Sequence, residues 1–151
     1  MIRYLHDPHL LSPVNFGAAA SQKEQTTVDE FIATRHRWDM MIYKIFRYNE
    51  WRALQKQGDT AGAPIDLADG YIHFSTAMQA QGTANKHFAQ VEGLYLAAVD
   101  GAALSGDIKW EVSRGREEFP HLYRRLQLGE VLWCLPLPLI NGRHKFPDQM
   151  T

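Results

Sequence analysis

A strand with one polar face runs directly into a helix within Asp69–Lys86, and this junction constrains the fold more than any other segment. Alternation along the strand places Ile72 and Phe74 on one face. The residues of the other face are Tyr71, His73 and Ser75. Thr76 and Gln79 have the capping-box spacing, so the helix is predicted to begin where the polar face ends. A histidine and a serine therefore lie beside the free N–H groups of a helix N-terminus, which can hold an anionic or ribose-like ligand.

The composition is that of an ordinary globular protein. The chain has 151 residues, 45% hydrophobic and 22% charged, enough for one domain with a real core or a smaller domain plus an extension. A net charge of −1 favours neither nucleic acid nor an anionic membrane as a partner. No apolar run approaches the roughly 20 residues of a membrane span, and the N-terminus lacks a signal-peptide pattern. We therefore expect a cytoplasmic protein.

The chain is expected to divide into three parts. Residues 1–40 show little hydrophobic alternation and predict an N-terminal extension with at most one short helix, from Thr27 to about Arg37. Residues 41–140 are predicted to form a single catalytic or binding domain. Residues 141–151 form a C-terminal tail, and we expect the chain from Asn141 onwards to be poorly ordered.

Helical and strand patterns alternate within the central domain. One helix is predicted between Asn49, which can cap it, and Gly58, which can end it; a second is predicted from about Ala77 to Phe88. Residues 58–70 are predicted to form a long loop. Strands are predicted at residues 42–46, 71–75, 94–99, 108–113 and 130–135. Two main helices set against five or six strands predict an α+β fold.

The polar residues that could carry chemistry are dispersed along this domain. They are His73, Ser75, Glu111, His121 and Tyr123, with Lys44 and Arg47 on the first strand. The sequence contains no glycine-rich phosphate loop, no metalloprotease helix motif and no nucleophile elbow. A His73–Glu111–His121 metal site would follow no recognised ligand spacing, so we expect no metal.

Each candidate also has a purely structural explanation. His73 is equally consistent with a half-buried histidine bonded to a backbone carbonyl, and His121 with a packed residue of an aromatic segment. Thr76 is more typical of a helix cap than of a catalytic group. Glu111 is either a solvated surface carboxylate or a cleft carboxylate that can bond a ribose hydroxyl and stabilise developing positive charge.

Four short motifs carry a family resemblance. They are Tyr43-Lys44-Ile45 with Glu50-Trp51, Asp69-Gly70-Tyr71-Ile72-His73-Phe74-Ser75-Thr76 with Gln79, Lys109-Trp110-Glu111, and Phe119-Pro120-His121-Leu122-Tyr123. In these motifs, from roughly Met41 to Leu135, the chain resembles a bacterial family known as domain of unknown function 952. Members of that family look like a compact ADP-ribosyltransferase fold. The resemblance implies a split antiparallel sheet with two main helices, cradling NAD in a central cleft.

The resemblance also implies a role for particular residues. Ser75 with Thr76 would line the nicotinamide site, and Glu111 would hold the ribose and support an oxocarbenium-like transition state. Lys44 stands where that superfamily has a first-strand His or Arg, and a lysine does not replace either. His73 and His121 would then orient the cofactor. The implied catalytic residues are Glu111, His73 and His121, and the implied cofactor-binding residues are Lys44, His73, Ser75, Thr76 and Tyr123.

We therefore expect an ADP-ribosyltransferase-like domain that binds NAD or a related nucleotide-ribosyl ligand, with transfer of ADP-ribose to an unidentified acceptor as its reaction. Glu130 on the last predicted strand competes with Glu111 for the carboxylate role. One alternative is a non-catalytic module that binds a small ligand or a protein on the same fold. Another is a hydrolase or transferase that uses His73 and His121 as acid and base on an unrelated substrate.

Overall fold

The computed structural model describes residues 40–150, which contain three α-helices, all in the first half of this range, and ten short or medium strands. The helices are α1 (Tyr48–Gln57), α2 (Pro64–Asp69) and α3 (Ala77–His87). The strands are β1 (Met41–Arg47), β2 (Asp59–Thr60), β3 (Ile72–His73), β4 (Leu94–Asp100), β5 (Ile108–Val112), β6 (Glu118–Leu122), β7 (Leu126–Gln127), β8 (Val131–Leu137), β9 (Leu139–Ile140) and β10 (Arg143–His144). The helix predicted near residues 27–37 lies outside the described residues.

Two three-stranded antiparallel sheets form the framework of residues 40–150. The first sheet has the strand order β1-β4-β8, and the second has the order β3-β6-β5. A single bridge joins them, because the backbone N–H groups of Tyr43 and Ser75 each donate to the other residue's carbonyl, at 2.8 and 2.9 Å. Strand pairs β2–β7 and β9–β10 complete a mixed α+β fold with antiparallel sheets, as predicted.

Strand β1 is buried on both faces and separates two apolar clusters. Ile42 and Phe46 on one face pack with Leu54 of α1, which shows no exposed surface. Ile45 on the other face packs with Ala84 of α3. This double burial explains why β1 is a nearly continuous apolar run, and its one buried charge needs a partner inside the protein.

That buried charge is Lys44, and its partner is Asp66 on α2. The Nζ atom of Lys44 lies 2.6 Å from Oδ2 of Asp66, and both residues are less than one-tenth exposed. Asp66 also accepts hydrogen bonds from the backbone N–H of Ala63 at 2.6 Å and of His73 at 3.0 Å. One carboxylate therefore ties β1, the start of α2 and β3 together.

The close packing around Asp66 extends to a glycine. Gly62 has a φ of 99°, and a Cβ atom there would collide with the carboxylate of Asp66. Helix α2 and strand β2 together occupy most of the segment predicted as a long loop between residues 58 and 70. Pro64 begins this helix and Gly70, at a φ of 83°, ends it, so both ends follow the usual asymmetry of helix termini.

The strand-to-helix junction forms as the sequence predicts. Ile72 and Phe74 are buried in the core. The hydroxyl of Thr76 accepts from the backbone N–H of Gln79 at 3.3 Å, and the side-chain oxygen of Gln79 accepts from the N–H of Thr76 at 3.1 Å. These reciprocal bonds make Thr76 the N-cap of α3.

The chain after Asn141 corrects our expectation of poor order. Strands β9 and β10 form a hairpin whose turn residues, Asn141 and Gly142, both have positive φ. His144 is buried, and its Nε2 donates to the carbonyl of Val91 at 2.7 Å. Because Phe146 also packs against the core, this segment is held by tertiary contacts. Such contacts cannot be read from its composition.

The cap predicts a measurable stability change in α3. Replacing Thr76 with Ala removes an acceptor for an N-terminal N–H, so we expect the free energy of unfolding to fall by about 1 kcal/mol. Urea unfolding followed by circular dichroism measures this loss. Ser105→Ala, at an exposed loop position, is the control. Equal stabilities for the two variants would contradict the capping role.

The buried pair predicts sensitivity to acid. Burial raises the pKa of Asp66, but hydrogen bonds from His73 and the charge of Lys44 outweigh burial and lower that pKa from 3.8 to about 2. Because the folded pKa lies below the unfolded one, the stabilisation is complete above pH 3.8 and is lost as the pH falls through about 2. This shift is worth about 2 kcal/mol. Urea unfolding between pH 7 and pH 2 measures that loss.

A double variant isolates the contribution of the pair. In Lys44→Met/Asp66→Asn neither side chain titrates in this range. The free energy of unfolding should therefore fall less with acid than in the wild type, by about 2 kcal/mol. Asp66→Asn alone leaves the lysine charge buried without a counter-charge, so it should be less stable than the double variant. The same acid-dependent loss in the wild type and the double variant would show that Asp66 does not titrate as described.

Candidate functional site

A cleft of about 780 Å³ lies beside the bridge that joins the two sheets. Its lining residues come from β1, the start of α1, α2, the end of β3, the second half of α3 and the β5–β6 region. The predicted site residues that line it are Lys44, His73, Ser75 and His121. Of the polar face predicted for residues 71–75, His73 and Ser75 therefore border a cavity of the size that small-molecule sites have, whereas Tyr71 does not line it.

The register of the second sheet brings the two histidines together. His73 of β3 pairs directly with His121 of β6, which in turn pairs with Lys109 of β5. Paired residues project on the same face of a sheet, and the two imidazole centroids are 5.2 Å apart. The ring of Tyr71 stacks on His121 with a centroid separation of 4.2 Å.

Glu111 holds His121 in place. Its Oε2 accepts from Nδ1 of His121 at 2.7 Å and from the hydroxyl of Tyr123 at 2.8 Å. The hydrogen bonds from His121 and then Tyr123 lower the pKa of Glu111, and the same carboxylate raises the pKa of Tyr123. With Nδ1 as the donor, Nε2 of His121 keeps its lone pair and has no partner among residues 40–150. A nearly buried imidazole with an oriented free nitrogen can accept a proton.

His73 is bound by two carboxylates of α2. Its Nδ1 lies 2.6 Å from Oδ1 of Asp66, and its Nε2 lies 3.1 Å from Oδ2 of Asp69. Both ring nitrogens can donate at once only when the imidazole is doubly protonated. His73 is therefore half-buried but bonded to carboxylates, not to the backbone carbonyl considered as its structural explanation.

Ser75 lies on the α3 side of the same cleft. Its hydroxyl is 2.8 Å from the hydroxyl of Thr83, which also accepts from the guanidinium of Arg114 at 3.3 Å. Thr83 and Arg114 both line the cleft, and neither was predicted from the sequence. Only their positions relative to Ser75 reveal them, because nothing in the local patterns around them distinguishes them.

The remaining predicted residues lie around this centre in different settings. Lys44 lines the cleft, but its ammonium group is paired with Asp66. Glu111, Tyr123 and Thr76 are not among the residues that line the cleft. Glu111 contacts the lining residue His121, the hydroxyl of Tyr123 donates to Glu111, and Thr76 caps α3.

Glu130, the competitor of Glu111, is bound elsewhere. It lies in a short 3₁₀ turn before β8 and accepts from both terminal nitrogens of Arg124, at 2.7 and 3.0 Å. This bidentate pair lowers the pKa of Glu130. Glu130 does not line the cleft, so the geometry favours Glu111 as the carboxylate associated with it.

Two classes of feature are absent from the part of the chain that the structure describes. No group of three or more His, Cys, Asp or Glu side chains in residues 40–150 has a geometry that could hold a metal ion. No helix in that range is long and apolar enough to cross a membrane.

Comparison with known proteins identifies relatives of this chain. It is similar to the crystal structure of protein CC0527 from Caulobacter crescentus, with 45% identity and a TM-score of 0.70 over 73% of this chain and 97% of that one. A solution NMR structure of CC0527 gives 46% identity and a TM-score of 0.64 over 70% and 90% of the two chains. No curated protein matches the chain.

A family model described as a protein of unknown function, DUF952, matches residues 45–134. This match covers more than half of the chain and includes the two histidines, Ser75 and Glu111. It confirms the family resemblance stated for the four motifs. The chain belongs to the DUF952 family.

Proposed function

We propose that this protein binds NAD or a related nucleotide-ribosyl ligand in its cleft, as an ADP-ribosyltransferase-like domain. The observation that carries the proposal is the pair of histidines, 5.2 Å apart, which lines a cleft of about 780 Å³ beside the junction of two antiparallel sheets. Cavities of about 300–1,000 Å³ with a few converging polar groups are typical of small-ligand sites. The split arrangement of the two sheets agrees with the fold that the family resemblance implies.

The reaction assigned to this site is displacement at the nicotinamide–ribose bond. Nicotinamide leaves with the bonding electrons while an acceptor hydroxyl, or water, attacks the ribose carbon. Nε2 of His121 takes the acceptor's proton, because the bond from Nδ1 to Glu111 leaves Nε2 free among the described residues. Glu111 is then a positioning residue that also stabilises the imidazolium, and His73 orients the ligand.

One observation favours a non-catalytic module as the second candidate. Within residues 40–150, the carboxylates that contact the two histidines are already engaged: Asp66 and Asp69 bind His73, and Glu111 binds His121. None is left without a partner to face an oxocarbenium-like centre directly. A module of this kind would keep the ligand-binding cleft and show no turnover.

Titration separates these candidates. The full chain is titrated calorimetrically with NAD, ADP-ribose and nicotinamide, and NAD solutions are assayed separately for released nicotinamide. Saturable binding with release supports the enzyme, and saturable binding without release supports the module. No binding of any of the three by folded protein would remove the nucleotide-ribosyl proposal.

The Glu111–His121 contact predicts a loss of turnover without a matching loss of affinity. Glu111→Gln removes the negative charge that stabilises the His121 imidazolium, so turnover should fall at least about 100-fold, the lower range of general-base contributions. Because Glu111 does not line the cleft, the Kd for NAD should stay within about tenfold. Glu117→Gln, an exposed position of the nearby turn, is the matched control. Unchanged turnover in Glu111→Gln would remove this residue from the mechanism.

A further inference from the structure

Each acidic side chain among the described residues that line the cleft has a basic partner. Asp66 pairs with Lys44, and Asp69 lies 3.1 Å from the His73 ring. The third is Glu50, which lies 3.6 Å from Arg47. Lys44 and Arg47 offset the charges of Asp66 and Glu50, whereas Asp69 is offset only by a protonated His73. The cations of the lining that have no acidic partner then contribute most to the attraction of an anionic ligand.

Two cations of the lining remain without an acidic partner in residues 40–150, and they are Lys86 and Arg114. Arg114 makes only long contacts with neutral groups, 3.5 Å to the carbonyl of Gly82 and 3.3 Å to the hydroxyl of Thr83. Its guanidinium also lies 5.2 Å from the centre of the Phe119 ring. A guanidinium held by such contacts keeps most of its capacity to bind an anion.

The two cations meet at the same part of α3. Arg114 contacts Thr83, and Lys86 lies three residues further on, which is the next position on that side of the helix. The neighbouring His87 lies within reach of both charges. Desolvation lowers its pKa most, and the charges of Lys86 and Arg114 lower it further. This end of the cleft therefore has a positive field.

We propose that Lys86 and Arg114 form an anion subsite that binds the diphosphate of the ligand, and that Arg114 makes the cleft select phosphorylated over unphosphorylated ligands. This inference rests on the proposed function for the identity of the complete ligand. The anion subsite itself follows from the two unpaired cations. A planar guanidinium bonds two phosphate oxygens at once, whereas the ammonium of Lys86 adds a point charge.

A purely structural role makes a different prediction. Lys86 could serve only to stabilise the C-terminus of α3, and Arg114 could serve only to pack on Phe119. Loss of packing would disturb the cleft for every ligand alike. Loss of an anion contact would weaken the binding of phosphorylated ligands alone.

The test compares Arg114 with an arginine of the same turn. Arg116 is exposed and does not line the cleft, so Arg116→Gln is matched to Arg114→Gln in chemistry and in location. Full-length wild type and both variants are titrated with ADP-ribose, adenosine and inorganic pyrophosphate at low and physiological salt. Arg114→Lys is added because it keeps the charge and changes the packing.

We expect Arg114→Gln to weaken ADP-ribose and pyrophosphate binding about tenfold or more, with adenosine unaffected and Arg116→Gln like the wild type. The Kd for both anions should rise with salt in the wild type and rise less in Arg114→Gln. Arg114→Lys should retain more affinity than Arg114→Gln.

The outcomes separate this inference from the proposed function. Pyrophosphate binding that depends on Arg114, without ADP-ribose binding, would support the anion subsite and overturn the nucleotide-ribosyl proposal. ADP-ribose binding that is unchanged in Arg114→Gln would overturn the anion subsite and support the nucleotide-ribosyl proposal. Equal weakening of ADP-ribose and adenosine would overturn the subsite, as would the absence of binding by either anion to folded wild type.

Discussion

A lysine and an aspartate that are both buried hold together the elements on which the rest of the structure depends. Taking two charges out of water is costly, and the cost is recovered only when their other hydrogen-bonding positions are also filled. Asp66 meets this condition, since its oxygens accept bonds from Lys44, the start of α2 and both the backbone and ring of His73. The pair therefore fixes β1 against α2 and at the same time sets the orientation of a cleft histidine.

The two histidines of the cleft have different surroundings although they are neighbours in one sheet. His73 has a carboxylate at each ring nitrogen, whereas His121 has one carboxylate and one free nitrogen among the described residues. A group that is bound on both sides is suited to orienting a ligand, and a group with a free lone pair is suited to moving a proton. This difference between the two histidines is the basis of the roles proposed for them, ligand orientation by His73 and proton transfer by His121.

Local patterns were sufficient to predict the parts of the fold that local chemistry determines. The alternation of Ile72 and Phe74 and the Thr76–Gln79 capping box gave the strand-to-helix junction, and the long apolar run gave β1. Asp66 and Arg114 could not be found in this way, because their importance comes from partners that are distant in the chain. For the C-terminal hairpin, the sequence contains one local indication, the Asn141-Gly142 pair, which is typical of a two-residue turn.

The close approach of Gly62 to Asp66 restricts the mutational routes open to this chain. Any side chain at residue 62 would meet the carboxylate that pairs with Lys44, and its φ of 99° would be strained as well. A side chain at residue 62 would displace the Asp66 carboxylate. The displaced carboxylate would then no longer compensate the charge of Lys44. Three positions spread over 23 residues, from Lys44 to Asp66, are therefore energetically coupled, so the effects of replacing them on stability should not be additive.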